Sequence, residues 1–364
     1  MKLGLARAAV AATVLSLLLV TAACGYARQA GGSARAAGGT VRIGLLLPES
    51  KTTRYEQFDR PLIEAAIRAL APGAQLDYYN ANQNATQQQT QVDTALTKGD
   101  QVLILDAVDA RAVESSVRKA HDAGVRVVAY DRLAQGPVDS YVSFDNVRVG
   151  RLQGEALVAA VGDRAPGGRI IMINGSPTDP NAAQYKQGAH QAINGRLTVA
   201  REYDTPDWDP NNANQEAAAA ITALGPATVV GVYAANDGMA AGIATALRAA
   251  DLSVPLTGQD AQLDAVQRIL AGTQTMSIYK PYRPEAEVAA EMAVALARHQ
   301  PLPAALAPTA QTNGSGQTVP SVLVPPTVLT RDNIRSTVVA DGLYPVARIC
   351  TPDYASACGA AGFR

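Results

Sequence analysis

The sequence predicts an α/β protein made of two doubly wound domains, and three observations predict it. Short β-rich runs alternate with Ala-rich helical stretches from Val41 almost to the end of the chain. The β-rich runs are apolar throughout instead of alternating, as expected when helices cover both faces of a parallel sheet. Dividing 364 residues by a typical domain of about 150 gives two domains, with about four to five βα units on either side of residue 146.

In order, Val41–Leu47 reads as a strand and Tyr55–Leu70 as a helix whose early turns Pro61 disturbs. Strand Ala74–Tyr79, helix Thr86–Lys98 and strand Gln101–Leu105 follow. Helix Ala110–Ala123, ended by Gly124, leads to strand Val125–Tyr130. The pattern resumes with helix Val147–Val161, strand Arg169–Ile173, helix Asn181–Asn194 and strand Thr198–Tyr203. Helix Asn211–Ala223, strand Ala227–Ala234, helix Gly238–Ala250 and strand Pro255–Gly258 come next. The last elements are helix Ala261–Leu270, strand Thr273–Tyr279, helix Pro284–Arg298, two short strands around Val322 and Val328, and helix Asp332–Ala340. No Pro/Gly/Ser-rich boundary lies between Asp145 and Gly150, so ordered segments are expected to cross between the domains as a hinge.

Composition narrows the function. Hydrophobic residues make up 48% of the chain, enough for buried cores and too many for a disordered protein. Lys plus Arg (31) nearly cancels Asp plus Glu (32), and a formal charge of −1 supplies no field to hold a polyanion, which excludes nucleic acid as the main partner.

Ahead of the first strand, Lys2 and Arg7 precede a 13-residue apolar run, Ala8–Val20, followed by Thr21-Ala-Ala-Cys24. The run is shorter than the about 20 residues of a membrane span, and reads as a secretory leader over residues 1–23. Small residues directly before a Cys resemble a bacterial lipobox, although Thr21 replaces the usual Leu; on this reading Cys24 bears the lipid that holds the protein at a membrane surface. A soluble secreted protein cut at the nearby Ala-x-Ala-like site is the alternative. Residues 24–39 read as a flexible tether. In an oxidising compartment Cys350 and Cys358 are expected to form a disulfide that staples a tail over residues 350–364.

In open α/β sheets the ligand crevice lies beyond the carboxyl ends of the strands. The residues following the expected strands there are polar: Lys51, Arg54 and Tyr55; Asp131 and Arg132; Asn174, Asp179 and Asn181; Asp207-Trp208-Asp209; Asn236 and Asp237; Gln259 and Asp260; and Lys280. Helix capping explains some, and Asp237 and Asp251 read as caps, but Arg132, Trp208 and Lys280 do not cap helix N-termini. Carboxylates, amides, guanidinium groups, an ammonium and an aromatic plate together suit a neutral ligand dense in hydroxyls. No G-x-G-x-x-G follows the first strand and no P-loop occurs, which argues against a nucleotide. His121, His190 and His299 fall in helical stretches, and neither H-E-x-x-H nor G-x-S-x-G occurs. Asp131, Asp179 and Asp260 could in principle act as paired acids, but Arg132 and Lys280 in the same crevice would hold carboxylates ionised. Binding without catalysis, with no metal and no cofactor, is the expectation.

Val127-Val-Ala-Tyr-Asp-Arg-Leu133, Tyr141-Val-Ser-Phe-Asp-Asn146 with Gly150, Gly175-Ser-Pro-Thr-Asp-Pro-Asn181, Ala235-Asn-Asp-Gly238 and Gly258-Gln-Asp260 occur in one order. Together they resemble the periplasmic sugar-binding proteins of ABC transporters, of the ribose/xylose type. Ala271-Gly-Thr-Gln-Thr-Met-Ser-Ile-Tyr-Lys-Pro281, Val319-Pro-Ser321 and Asp332-Asn-Ile334 resemble the D-xylose-binding branch, and the similarity runs from about Val41 to Tyr344. The resemblance implies the type I periplasmic binding protein fold: two Rossmann-like lobes joined by a three-segment hinge and closing on one sugar. It implies an N-lobe of residues 40–146 and 285–324, and a C-lobe of residues 147–284 and 325–349. It implies that Arg54, Tyr55, Asp131, Arg132, Asp179, Asn181, Trp208, Asn236, Asp260 and Lys280 bind the sugar. Tyr55 stands where such relatives typically carry Trp, Asn174 where a Gly is usual, and Pro180 follows Asp179; these departures bear on xylose more than on a monosaccharide. The implied protein is a monomeric extracytoplasmic lipoprotein that delivers a monosaccharide, D-xylose or a similar aldose, to an ABC permease. A receptor feeding a membrane sensor kinase, or an extracellular sugar-processing enzyme, are the alternatives.

Overall fold

Strand β1 (Arg42–Leu47) opens the first sheet of a computed structural model that describes residues 40–363. The expected leader and the whole of the tether, Cys24 included, lie outside the described residues. β1 is RIGLLL with five of its six residues buried, so it belongs at the centre of a sheet. It pairs in parallel with β2 (Gln75–Asn80) on one side and β3 (Val102–Leu105) on the other. β4 (Arg126–Tyr130) and β5 (Ser140–Phe144) extend the sheet in parallel. Two later strands, β11 (Thr318–Val324) and the antiparallel edge strand β10 (Thr309–Thr312), complete the order β10-β11-β5-β4-β3-β1-β2.

The second sheet repeats the theme. β6 (Arg169–Asn174) lies between β7 (Thr198–Asp204) and β8 (Val229–Ala234), all parallel. Beyond β8, segment 255–260 accepts from Val232 N at Pro255 O (2.8 Å) and from Ile278 N at Gly258 O (3.0 Å). It thereby links β8 to β9 (Ser277–Tyr279), which pairs antiparallel with β12 (Thr327–Leu329). In both sheets the strand order reverses next to the first strand, between β1 and β3 and between β6 and β8, where α/β folds place their ligand crevice. The chain crosses between the sheets three times: after β5, after β9 and after β11.

Several expectations change. The expected strand Pro255–Gly258 is reduced to a single bridge, Val232 to Leu256, because Pro255 has no N–H and the chain turns left-handed at Asp260. β9 is shorter than expected, since Thr273 N and Gln274 N still bond Arg268 O at the end of the preceding helix. β5 and β10 were not expected as strands; β10 is TAQT, largely exposed and without apolar periodicity. β2 and β7 are edge strands and only half-buried, so not every strand is apolar throughout. The helix expected from Ala110 begins at Glu114, because Asp109 Oδ1 accepts from Arg111 N and Ala112 N and holds a turn there. The helix expected at Asp332–Ala340 is a short turn, Arg331–Asn333, followed by a wide π-type turn, Arg335–Val339. Another π-type turn, Tyr55–Asp59, precedes helix Arg60–Leu70, which carries Pro61 in its first turn.

Helices Asn146–Val161 and Pro180–Ile193 cross in backbone contact. A Cβ on Gly150 would lie 1.8 Å from Tyr185 O, and one on Gly188 would lie 1.9 Å from Val147 O. Only glycine permits this approach, and it sets where the second helix presents Asn181 and Tyr185.

A polar cavity between the two sheets

The loops after β1 and β4 supply one wall of a cavity. Arg54 is buried, and its guanidinium is nearly saturated. Nε donates to Asp59 Oδ2 at 2.7 Å, while Nη2 donates to Asp59 Oδ1 at 3.1 Å and to Glu285 Oε2 at 2.6 Å. Nη1 points to Asp131 Oδ1 at 3.3 Å, and the Tyr282 ring centroid lies 4.7 Å from the guanidinium carbon. Burial disfavours the Arg54 charge, but Asp59, Glu285 and Asp131 outweigh it and hold the group firmly protonated.

Asp131 sits at φ 54°, a left-handed conformation that Asp tolerates better than most side chains. Its backbone is fixed from both lobes: N donates to Val142 O (2.9 Å), and O accepts from Tyr141 Oη (2.9 Å) and Asn181 Nδ2 (3.0 Å). Burial pushes its carboxyl up, yet Arg54, Lys280 and Arg132 together pull it below the ordinary range, so it faces the cavity as an ionised acceptor. Arg132 spans the cleft. Its Nε lies 2.9 Å from Asp179 Oδ2 and 3.4 Å from Asp106 Oδ1, and Nη2 donates to Tyr55 Oη at 3.1 Å.

The strand ends of the second sheet supply the other wall. Trp208 is at φ 54°, and its Nε1 donates to Asp179 Oδ2 at 3.2 Å. The indole lies on the backbone of Gly175, where a Cβ would meet its ring at 2.0 Å. Asn236 accepts from Met239 N at 2.9 Å and so caps its helix while also lining the cavity. Lys280 donates to Tyr185 Oη at 3.2 Å, and its ammonium lies 3.1 Å from Asp260 Oδ1.

Nine of the ten expected binding residues line this one cavity. Asn181 is the exception: it is buried behind the wall, with Nδ2 on Asp131 O and Oδ1 accepting from Asn146 Nδ2 at 2.9 Å. Its place at the start of a helix turns the side chain back into the protein. Thr52, Tyr185 and Gln259 also line the cavity. Tyr185 lies one turn beyond Asn181 on the same helix, a spacing that could have marked it. Asp59, Asp106 and Glu285 form a layer behind the wall, and burial pushes all three carboxyls up against the pull of Arg54 or Arg132.

Other expectations fall elsewhere. Asp237 is not the helix cap; Asn236 is, and Asp237 is fully buried within the second lobe. His299 lies beyond the end of helix Tyr282–Ala297, at φ 56°. Cys350 and Cys358 are bonded, with sulfurs 2.06 Å apart, in a cluster with Ile349 and Phe363 that packs on helix Leu263–Ala271.

The cavity has two properties that decide its chemistry. Its lining carries three cations (Arg54, Arg132, Lys280) and three carboxylates (Asp131, Asp179, Asp260), so its formal charge is balanced. Arg54 Nη1, Asp131 Oδ1, Arg132 Nε, Gln259 Oε1 and Asp260 Oδ1 are buried in this lining without a well-directed hydrogen bond, and all but Gln259 Oε1 lie in the ion pairs described above. A buried polar atom with no partner at all costs about 1–3 kcal/mol, and paired charges with incomplete hydrogen bonds keep capacity for more, so the wall can receive donors and acceptors from a bound molecule.

Comparison with known proteins agrees with this geometry. Residues 43–301 match the family described as "Periplasmic binding protein domain". The chain is 33% identical over 342 residues to the D-xylose-binding periplasmic protein of Escherichia coli strain K12, covering 91% of this chain and 96% of that one. It is 31% identical to the multiple sugar-binding periplasmic receptor ChvE of Rhizobium radiobacter, over 83% of this chain and 90% of that one. The solute-binding protein of a carbohydrate transporter from Chloroflexus aurantiacus, solved with D-glucose, superimposes with a TM-score of 0.75 at 28% identity, covering 85% of this chain and 98% of that one. The likeness runs along nearly the whole length, and the chain belongs to the periplasmic binding protein family, with the type I fold.

Proposed function

We propose that the protein binds one monosaccharide, D-xylose or a similar aldose, between its lobes and delivers it to an ABC permease. The observation that carries this reading is the buried, charge-balanced polar lining, whose cations and carboxylates pair with one another yet keep hydrogen-bonding capacity, beside Gln259 Oε1, which has no hydrogen-bond partner. Sugar hydroxyls donate and accept at once, so a pyranose meets such a wall without bringing net charge. Trp208 offers an apolar surface to the C–H face of the ring. The relatives named as D-xylose-binding support an aldose, and the neighbour solved with D-glucose keeps hexoses in the test.

The N-lobe comprises residues 40–146 and 285–324, and the C-lobe residues 147–284 and 325–349, with the tail beyond. Free sugar enters an open cleft, and closure brings Arg132 to Asp179 and Asn181 to the Asp131 carbonyl, the contacts that tie the lobes together. No chemical step is assigned: each lining carboxylate lies against a cation, and Asp131 is held ionised instead of being poised as an acid. The protein works outside the cytoplasm as a monomer, held at the membrane by a lipid on Cys24.

A thermal-shift screen across pentoses, hexoses, disaccharides and aldonates tests the reading. At 100 times its Kd, a ligand bound only by the native state adds about 2.7 kcal/mol of stability, so one or a few neutral aldoses are expected to raise the melting temperature by several degrees. The reading fails if no neutral monosaccharide does so, or if aldonates stabilise more than their parent sugars.

A further inference from the structure

We infer that Asp237, which does not touch the cavity, is the positioning residue that holds the Gln259–Asp260 side of the sugar site in its binding geometry. This rests on the sugar-binding reading. The loop needs a clamp, because Asp260 (φ 92°) and Ala261 (φ 51°) are consecutive non-glycine residues in left-handed conformations. Such backbone persists only where its surroundings over-determine it.

The Asp237 carboxylate is at the centre of those surroundings. Oδ2 accepts from Gln262 N at 3.0 Å and from Ser277 Oγ at 2.7 Å, and Oδ1 accepts from Gln274 Nε2 at 2.8 Å. Ser277 Oγ in turn accepts from Ala261 N at 3.0 Å. The Asp237 backbone N donates to Gln259 O at 3.0 Å, so both flanks of the strained pair are tied to this one residue. Gly258 is pressed against it as well, since a Cβ there would lie 2.0 Å from Oδ1. The loop so held presents Gln259 and Asp260 to the cavity, the latter 3.1 Å from Lys280.

Three donors converge on the carboxylate, and the ionised form accepts from all of them with no donor turned round. On protonation one oxygen must donate, and the Ser277 hydroxyl has to turn round. Burial pushes the group up to about 8, while Arg268, which donates from Nη2 to Asp237 O and pairs with Asp264, pulls the other way. Asp260 and the Tyr344 phenol also interact with it. A sugar that requires the clamped loop therefore binds more tightly as the pH rises through this range.

The test compares wild type, Asp237→Ala and Asp237→Asn in the full chain by amide hydrogen exchange and by calorimetric titration with D-xylose and D-glucose. Asp237→Ala is expected to speed exchange at Ala261 and Gln262 about tenfold or more, leaving β1 and β4 unchanged, and to weaken the sugar about tenfold or more. Asp237→Asn, close in volume and the variant to rely on if Ala does not fold, should recover part of the affinity and abolish the wild-type rise in affinity between pH 6 and pH 9, about threefold. Unchanged exchange in this loop, or faster exchange with wild-type affinity and an intact pH profile, would overturn the inference. A wild type that binds neither sugar would count against the sugar reading, while exchange in the loop would still decide whether Asp237 clamps it.

Discussion

Asp131→Ala is expected to weaken monosaccharide binding at least about a hundredfold, the larger of two effects that the cavity geometry dictates. The variant removes an ionised acceptor that lines the cavity, and it strips Arg54 Nη1 of the carboxylate 3.3 Å away. Breaking a buried ion pair by removing one partner costs about 3–5 kcal/mol, and each 1.4 kcal/mol is tenfold in Kd. Part of that penalty falls on the free protein too, so the affinity change is expected near the lower end. Alanine also tolerates φ 54° less well than aspartate. Asp131→Asn separates the two effects: it keeps the volume and the left-handed preference but presents an amide where an anion stood. Equilibrium titration should show both variants strongly impaired, with the Asn protein melting close to wild type. Wild-type affinity in Asp131→Asn would remove Asp131 from the binding site.

Gly150→Ala is expected to destabilise the protein by about 3 kcal/mol or more, because the added carbon would lie 1.8 Å from a backbone oxygen that no rotamer can move. Helices Asn146–Val161 and Pro180–Ile193 would have to separate, taking with them Tyr185, the partner of Lys280, and Asn181, the partner of the Asp131 carbonyl. Sugar affinity should therefore fall together with the denaturant midpoint. Gly359→Ala is the control: that glycine lies in helix Ala355–Ala360 with open space around its Cβ position, an ordinary backbone conformation and no link to the cavity, so stability and affinity should stay close to wild type. Equal denaturant midpoints for wild type and Gly150→Ala would show that the helices do not pack as described.

Most of the cavity was legible in the sequence because α/β sheets expose the carboxyl ends of their strands on one edge. Arg132, Trp208, Asp260 and Lys280 were found that way, although they are far apart in the chain. The rule reads loops only, so it passed over Tyr185, which reaches the cavity from within a helix, and it does not foresee that Asn181, at a helix start, bonds Asp131 O and Asn146 behind the wall. The layer behind the wall was not legible at all. Asp59 and Glu285 lie in helical segments with no local mark, and only the fold brings them to Arg54 across 5 and 231 residues of chain. Asp237 reads as a cap in the sequence because it stands beside one; its three donors come from Gln262, Gln274 and Ser277, a convergence that spacing does not encode. In the fold itself, hydrophobic runs announced the central strands, whereas β10 owes its pairing to β11 and carries no apolar signal.

The decisive measurement is the crystal structure of the protein with the aldose that stabilises it most. One sugar ring should lie against Trp208, with hydroxyls within hydrogen-bond distance of the Asp131 and Asp260 carboxylates and of Arg54 Nη1. A sugar bound outside this cleft, or one in the cleft that leaves those three groups untouched, would contradict a cavity shaped to hold an uncharged polyol.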